Sequence, residues 1–443
     1  MMGFELKLLF RERLAVIAWA GFLACALAAA VLGAAWAERH RAALAGHAAD
    51  ERFAISEAQV AATDIARQLI LPPAPLLDLT IGRADLEPSA GATSFFARED
   101  KLFANYELDG PVALANGRFD LAFVVVWLAP LLLIALGLSI ASADRDTGLL
   151  RQQAAAPVGI RRVAVGRALL RLVLVLAPVA LVAIGATLAA PAAEGKGQAL
   201  ALWLLIAAGY LALWQAAILF ASTLRVRQEA LGAGLLAVWA LIVLVVPAFG
   251  SATAQALSPP PSRFTLIAEA RAAEVAARDA APDLLNKYMH DHPELLSAGS
   301  GEVEAWVKTS AMTGRQVEAA IGPTLASFED ARVRQRHVAQ AFELLSPALL
   351  THRLLADVAG TGEARFAAFR TAAASYHRRL KGKITSAGLV GQKLSRGDLD
   401  AIAPLRVEAQ VGGSVAFGTL LLVGAALLLG AFGAHRFSPN RAI

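Results

Sequence analysis

The chain has 443 residues, of which 57% are hydrophobic and only 17% are charged. Soluble globular proteins carry roughly 25% charged residues, so this composition excludes an ordinary soluble protein and indicates a membrane protein. The formal net charge is +5, but the arginines cluster beside apolar runs and the aromatic residues are not interleaved with them. A nucleic-acid partner is therefore not expected. The one cysteine, Cys25, lies within an apolar run, so an intrachain disulfide is excluded.

Six apolar runs are long enough to cross a bilayer core of ~30 Å. They cover residues 14–36, 121–141, 168–190, 199–221, 230–249 and 411–434. Pro130, Pro178 and Pro247 lie within three of them, and each proline removes one backbone hydrogen bond from its helix. Residues 35–37 could pass for a signal-peptidase site. The first run is longer than the roughly 7–15 residues of a secretory signal core, so an uncleaved span is expected instead.

Two polar segments, 38–120 and 251–410, interrupt the spans and are too long to be connecting loops. In the first, composition predicts a helix from Glu38 to Gln68 that three prolines then end. In the second, helices are predicted before a loop over residues 391–404, and strand-like alternation is absent. These helices cover 263–280, 282–292, 302–309, 315–345 and 363–379. The two segments are expected to form one helical domain.

Basic residues predict the orientation, because cytoplasmic loops carry an excess of Lys and Arg. Such residues precede the first predicted span, follow the last, and lie between the second and third and between the fourth and fifth. Both termini are therefore expected in the cytoplasm. Both inserts are expected outside the bacterial inner membrane, in the periplasm if the cell has two membranes.

The predicted fold is an all-α integral membrane protein with six transmembrane helices and two large extracytoplasmic helical inserts. Its predicted divisions follow the chain in order. They are a cytoplasmic N-terminus with the first span over 1–37, a first insert over 38–120, four spans over 121–250, a second insert over 251–410, and the last span with a cytoplasmic C-terminus over 411–443.

The cytoplasmic loop over residues 142–167 holds an ordered series of polar and basic residues. A short amphipathic helix over 147–156 would lie along the membrane surface, and the proline at its end would stop it. The series comprises two acids, a glycine, an apolar residue, four arginines, a proline and a second glycine. These are Asp144, Asp146, Gly148, Leu149, Arg151, Pro157, Arg161, Arg162, Gly166 and Arg167.

This series resembles the first cytoplasmic loop of ABC-2 type transporter permeases, in which an acid-x-acid-x-Gly segment precedes a surface helix, a proline and a Gly-Lys pair. Asp144 and Asp146 stand where Glu is usual, and Arg167 stands where Lys is usual, so the charges are kept. The resemblance implies that the loop couples to a separate ATPase subunit and that two permeases pair in the membrane. The alternative is an unrelated inner-membrane loop that is merely basic and contains a proline.

The two inserts narrow the resemblance to ABC-2 permeases that carry the domain DUF3526. The segments that resemble that group are Pro261 to Leu295 and Tyr106 to Asp120. The resemblance extends over nearly the whole chain.

Motifs for catalysis are absent from the sequence. No GxxxxGK[ST] phosphate loop occurs, so ATP hydrolysis is expected in a partner subunit and not in this chain. His290 and His292, beside Asp291 and Glu294, could suggest a metal site, but side chains so placed at a helix end would not face one point. The pairs Glu302–Glu304 and Asp398–Asp400 are interpreted as solvated surface. No catalytic residue, metal ligand or cofactor is predicted.

The predicted spans hold almost no ionisable residue, whereas ion-driven carriers bury such residues at mid-membrane. Gln215, Ser139 and Tyr210 are expected to make contacts between helices. The predicted function is the permease subunit of an ABC-2 type ATP-driven transporter, an exporter by resemblance. Its expected partners are an ATPase with a P-loop, a second permease copy or paralogue, and membrane lipids. The alternative is a membrane-anchored periplasmic scaffold or sensor without transport activity, for which one or two spans would suffice.

Overall fold

The computed structural model describes residues 5–7, 11–54, 59–103, 119–138, 159–224, 226–291, 293, 305–407 and 412–437. Helix accounts for 77% of the structure, so the chain is mostly helical, as the sequence predicts. In chain order the helices are α1 (Arg13–Ala54), α2 (Leu121–Gly137), α3 (Ile160–Ala189), α4 (Lys196–Ala221), α5 (Gln228–Leu257), α6 (Arg263–Asp279), α7 (Ala281–Asp291), α8 (Ala305–Glu343), α9 (Pro347–Ala359), α10 (Glu363–Leu389), α11 (Arg396–Asp400) and α12 (Gly412–Arg436). The strands are β1 (Gln59–Ala61), β2 (Ala66–Ile70), β3 (Ala90–Ser94) and β4 (Lys393–Ser395).

Five helices in the described part of the chain, α1, α3, α4, α5 and α12, are long and apolar enough to cross a membrane. They mark the chain as a membrane protein, and they coincide with five of the six predicted spans. The predicted span over residues 121–141 corresponds to α2, which is a shorter apolar helix in the structure. The described chain stops one residue after α2 ends, so a sixth span remains a prediction.

Helix α2 lies at the centre of the spans, where it contacts α1, α3, α4 and α5. Most of its side chains are buried, among them Leu121, Val125 and Leu133. A helix that is apolar on every side is stable only when other apolar surface surrounds it. This central position accounts for the uniformly apolar sequence of α2.

Helix α1 continues well beyond the first predicted span, because the Ala-rich segment after Trp36 favours helix. It ends at Ala54, whereas composition predicts helix as far as Gln68. Strand β1, a short 3₁₀ helix over Ala62–Asp64 and the first three residues of β2 lie within that predicted helix. The expected helix from Glu38 to Gln68 is therefore wrong in its last part.

Two small antiparallel sheets correct the expectation of purely helical inserts. β1 pairs with β4, with Gln59 opposite Ser395, and β2 pairs with β3, with Ala66 opposite Ser94. Strand β4 and helix α11 also lie within the predicted loop over residues 391–404. Strands of three to five residues are too short to show the alternation by which strands are recognised. They form here because distant segments of the chain supply their partners.

Residues from both inserts share one hydrophobic core. Ile65, Leu69 and Phe95 from the first segment are buried together with Phe369 and Ile384 from the second. We call this unit the insert domain. It comprises residues 59–103, 263–291, 305–343 and 363–407.

The long helices of the insert domain agree more closely with the helices that the sequence predicts. α6 and α7 agree with the predicted helices within one or two residues. Helix α8 joins the two helices predicted over 302–309 and 315–345 into one, and Pro323 lies inside it. The face of α6 with Ala270 and Ala277 packs against Val317 and Ile321 of α8.

Helix α9 belongs to the second predicted insert, but it packs among the spans. It contacts α4, α12 and α2, and its Leu350, Leu354 and Leu355 lie in the same hydrophobic core as Trp203 of α4 and Leu422 of α12. The sequence does not predict α9. The second insert is therefore partly embedded in the bundle of spans.

Candidate functional site at the start of the third span

Six of the ten residues predicted to couple the chain to a partner lie outside the described residues, so their positions stay predictions. These are Asp144, Asp146, Gly148, Leu149, Arg151 and Pro157. The remaining four belong to the first two turns of α3. Those turns precede the predicted start of the span at Ala168, because α3 begins at Ile160.

Arg161 and Arg162 are both exposed on the first turn of α3, while the neighbouring Ile160 is buried and anchors that turn. The positive end of the helix dipole lies at the N-terminus, where acidic side chains are favoured and arginines are not. Helix stability therefore does not explain two arginines at this point. Their exposure suits contact with an anionic surface, such as lipid phosphates or the carboxylates of a protein.

Arg167, one residue after the half-buried Gly166, lies on the next turn of α3 and has a partner inside the chain. Its Nε donates to Oε1 of Glu5 at 2.9 Å, and both side chains are largely shielded from solvent. This ion pair holds the segment before α1 against α3. The sequence predicts Arg167 as a coupling residue but does not indicate its pairing with Glu5.

Arg171, one turn beyond Arg167, is a buried arginine that the sequence reasoning missed. Only 3% of its surface is exposed, and it interacts with other groups of the chain. Arginines are costly to place inside a span and usually have a functional or structural reason. The sequence does contain a signal for this residue, namely an arginine within the apolar run over residues 168–190.

Three prolines in the spans are each matched by a side-chain donor from another part of the chain. A proline in a helix leaves the carbonyl four residues earlier without its N–H donor. For Pro178 in α3 that carbonyl belongs to Leu174, and Trp19 of α1 donates its indole N–H to it at 2.9 Å. This bond ties α1 to α3 one turn before the proline.

Pro130 in α2 also has a donor close to it. The hydroxyl of Tyr210 from α4 donates at 3.0 Å to the carbonyl of Val126, four residues before the proline. A π-helical turn, Val124–Leu128, lies just before the proline. Such turns occur where helical hydrogen bonding is interrupted. The expected role of Tyr210 as a contact between helices is confirmed.

Pro247 in α5 follows a second π-helical turn, Leu241–Val245, in which N–H groups bond to carbonyls five residues earlier. The carbonyl of Ile242, five residues before Pro247, lies within this turn. The hydroxyl of Ser346 donates to this carbonyl at 2.7 Å. Ser346 also caps α9, because its Oγ accepts from the N–H of Leu349. The turn before Pro247 in α5 is thus tied to the embedded helix α9.

The turn over residues 76–81 connects the insert domain to the spans. Oδ2 of Asp120 accepts from the N–H of Ile81 at 2.8 Å, while Oδ1 caps α2 by accepting from the N–H of Phe123. The indole of Trp203 in α4 donates to Oγ1 of Thr80 at 2.9 Å. Burial raises the pKa of the Asp120 carboxyl above its usual value, although its two backbone donors oppose that shift.

Helix α1 also contacts the turn over residues 76–81. Asp78 pairs with Arg41 of α1, and Gly33 of α1 lies against the backbone of Asp78. A Cβ atom at Gly33 would come within 2.4 Å of the Asp78 carbonyl oxygen. Only glycine permits this approach. The turn over 76–81 therefore touches α1, α2 and α4.

A buried polar network in the insert domain resembles a catalytic relay in its residue types. Oγ1 of Thr93 lies 2.6 Å from Nδ1 of His377, and Nε2 of His377 lies 3.3 Å from Oε1 of Glu318. Thr93 is completely buried. Its hydroxyl is shielded from solvent, and the network links β3 to α10 and α8.

Other polar clusters singled out in the sequence have similar explanations in the structure. Ser395 and Asp398 form a capping box for α11, and Asp400 pairs with Arg67 at 3.3 Å. His290 is exposed on α7, while His292 lies outside the described residues. Within the described part of the chain, no group of three or more His, Cys, Asp or Glu side chains is placed to hold a metal ion.

The apolar helices and the insert domain packed against them define a helical membrane protein. Residues 263–406, less than half of the chain, match the family model described as "Domain of unknown function (DUF3526)". No curated protein and no solved structure matches the chain. The matched region runs from α6 to α11, so it combines much of the insert domain with the embedded helix α9. The resemblance to DUF3526 is confirmed over these residues, whereas the broader resemblance to ABC-2 permeases remains a prediction.

Proposed function

We propose that this chain is the permease subunit of an ABC-2 type ATP-driven exporter that works with a separate P-loop ATPase. The observation that carries the proposal is the exposed pair Arg161–Arg162 on the first turn of α3. This pair directly follows the loop whose sequence resembles the coupling loop of that family. Membrane placement follows from the basic residues: both termini in the cytoplasm of a bacterial inner membrane and the insert domain outside.

In this proposal Arg161 and Arg162 form charge-assisted hydrogen bonds with carboxylates on the ATPase, which are stronger than bonds between neutral groups. ATP-driven closure of two ATPase subunits moves the start of α3 in each of two paired permeases. The second permease is an identical copy or a paralogue.

The contacts of α3 suggest how such a movement reaches the insert domain. Arg167 links α3 to Glu5 before α1, and Trp19 links the middle of α3 to α1 itself. At its far end α1 holds the turn over 76–81 through Arg41 and Asp78. A displacement of α3 at its basic end would thus pass along α1 to the insert domain.

Copurification tests the contact directly. The full chain is expressed with the proteins encoded beside it, and the P-loop ATPase recovered with the purified chain is measured. Reversing both charges with Arg161→Glu and Arg162→Glu should lower recovery about tenfold or more, which is a loss of roughly 1.4 kcal/mol or more. The matched control reverses two exposed arginines of the insert domain, Arg271→Glu and Arg334→Glu, and should leave recovery unchanged. Equal recovery with both double variants would reject the contact.

A second candidate function, a membrane-anchored scaffold or sensor, draws on one feature of the insert domain. Phe264, Ile267 and Val275 lie along one side of α6 and are at least half exposed. Such an apolar row is suited to binding a protein. Recovery of the chain with proteins from outside the inner membrane, and without an ATPase, would favour this candidate.

A further inference from the structure

A long cleft of about 1310 Å³ lies between α1 and α3. Its walls run from Trp19 to Ala45 on α1 and from Val173 to Ala189 on α3, with Ala190 and Pro191 just beyond the end of α3. At the helical rise the α3 wall is about 24 Å long, most of the ~30 Å hydrocarbon core of a bilayer. The volume exceeds the roughly 300–1,000 Å³ of ordinary small-molecule pockets. The cleft therefore suits a long ligand.

Small residues on both walls create the cleft. Ala30 and Ala34 of α1 face Ala177 and Gly185 of α3 across it. Larger apolar residues form its rim, and Val31 and Leu181 are 67% and 71% exposed. The described chain thus leaves a concave apolar surface open to the surroundings of the spans.

The two ends of the cleft differ. At the basic end of α3, the hydrogen bond from Trp19 to Leu174 closes it with an aromatic ring. At the insert-domain end it is lined by Glu38, Arg41 and Asp78. Glu38 is exposed, and 22% of the Arg41 side chain is accessible beside Asp78. Charged groups of both signs therefore stand at one end of an otherwise apolar channel.

We propose that this cleft is a binding site for a glycerophospholipid with a zwitterionic headgroup that carries a phosphate and an ammonium group. Its acyl chains lie between α1 and α3, its phosphate beside Arg41 and its ammonium beside Glu38. Charge-assisted hydrogen bonds at both groups would favour this headgroup over a purely anionic one. The site does not depend on the transporter proposal, since it requires neither an ATPase nor transport.

The charged groups at one end favour lipid over a helix from a second copy of the chain, because a zwitterionic headgroup can pair with both Glu38 and Arg41. Flexible acyl chains can follow a narrow cleft lined by alanine and glycine.

Filling the cleft tests the site. A Cβ atom at Gly185 would meet nothing within 4 Å, so Gly185→Leu should fold and project into the space meant for lipid. Gly424→Leu on α12 is the matched control, because Gly424 also lies in a span with open space around it and does not line the cleft. Both full-length variants are purified in detergent beside the wild type.

Bound lipid is then counted by native mass spectrometry after exposure to equal amounts of phosphatidylethanolamine and phosphatidylglycerol. The wild type should retain phosphatidylethanolamine preferentially. Gly185→Leu should reduce that retention at least fivefold, and Gly424→Leu should not. Glu38→Gln, an exposed substitution, should reduce the preference between the two lipids while the chain still binds lipid.

Three results would overturn the proposal. They are retention of no lipid by the wild type, equal loss of lipid in Gly185→Leu and Gly424→Leu, and retention without headgroup preference. A cross-link gives a fourth. If Val31→Cys in a Cys25→Ser background oxidises to a disulfide between two chains in native membranes, a second copy covers the cleft instead of lipid.

Discussion

Trp19 donates its indole N–H to the carbonyl of Leu174, the one carbonyl in α3 that Pro178 deprives of its helical donor. The donor comes from a different span, so a break within one helix becomes a bond between two. Tyr210 and Ser346 likewise donate to carbonyls just before Pro130 and Pro247, each within a π-helical turn. Prolines in spans are tolerated where neighbouring groups satisfy the freed backbone.

The first prediction concerns this bond. Trp19→Phe removes the donor and leaves the Leu174 carbonyl unsatisfied, which should cost about 1–3 kcal/mol of stability. Thermal unfolding in detergent should show a lower midpoint. Pro178→Ala restores an N–H that can bond to Leu174, so Trp19→Phe should cost clearly less in that background. Equal losses in both backgrounds would show that the indole acts through packing alone.

The second prediction concerns the embedded helix α9. A Cβ atom at Gly418 of α12 would lie 2.9 Å from both terminal carbons of Leu354. Gly418→Ala should therefore lower stability by about 1–3 kcal/mol through overpacking. Leu354→Ala in the same chain should relieve part of that loss. Gly424→Ala on the same helix has open space and should be neutral or slightly stabilising, because alanine favours helix over glycine.

If Gly418→Ala and Gly424→Ala have the same unfolding midpoint, α9 does not press against α12 as described. The comparison controls for helix propensity, since both substitutions replace glycine by alanine in one span.

The third prediction concerns the turn over residues 76–81. At Gly33 a Cβ atom would collide with the backbone oxygen of Asp78, which cannot rotate away. Gly33→Ala should therefore push the turn from α1, destabilise the protein and increase proteolysis of the insert domain. Gly21→Ala in the same helix meets nothing within 4 Å and serves as the control. Identical protease sensitivity of the two variants would contradict the contact between α1 and the turn.

The fourth prediction concerns pH. Burial raises the pKa of Asp120 above its usual 3.8, opposed by the Phe123 N–H, by His352 and by the Ile81 N–H, with Asp85 adding to the rise. The folded protein then holds a proton that the unfolded chain has lost. The contribution of Asp120 to stability is therefore full below about pH 4 and is lost as pH rises through the folded pKa.

Asp398 provides a contrast of opposite sign. Hydrogen bonds from the side chain and the backbone N–H of Ser395 lower the pKa of its carboxyl. Its contribution is present above the unfolded pKa and is lost as the solution becomes more acidic. Unfolding midpoints measured from pH 3 to pH 7 should fall less with rising pH in Asp120→Asn than in the wild type. Between pH 3 and pH 7 the unfolding midpoint should rise less in Asp398→Asn than in the wild type. Unchanged slopes in Asp120→Asn would show that its carboxyl titrates normally.

The local sequence predicted the positions of those helices that depend on local composition and apolar length. Apolar length located α1, α3, α4, α5 and α12, and composition located α6 and α7, because each of these signals lies within the element itself. β1 and β4 were not predicted, because each strand has only three residues and pairs with a strand from the other insert. The embedded position of α9 depends on its contacts with α4 and α12, which the sequence of α9 does not contain.

The same limit applies to the candidate site. The sequence indicated Pro130, Pro178 and Pro247, but it did not indicate which side chain would donate to a carbonyl just before each proline. The basic pair at the start of α3 was predicted as part of the coupling loop, and the structure adds that both arginines are exposed. The ion pair of Arg167 with Glu5 depends on the packing of two segments far apart in the chain and carries no local signal.

The central claim is that the start of α3 touches an ATPase. The most direct measurement places a photo-crosslinking amino acid at Arg162, with Arg334 of the insert domain as the control position, in cells that also make the proteins encoded beside this chain. The account predicts an adduct of this chain with the ATPase subunit on illumination at position 162 and none at position 334. Absence of that adduct at 162, or equal adducts at both positions, would contradict it.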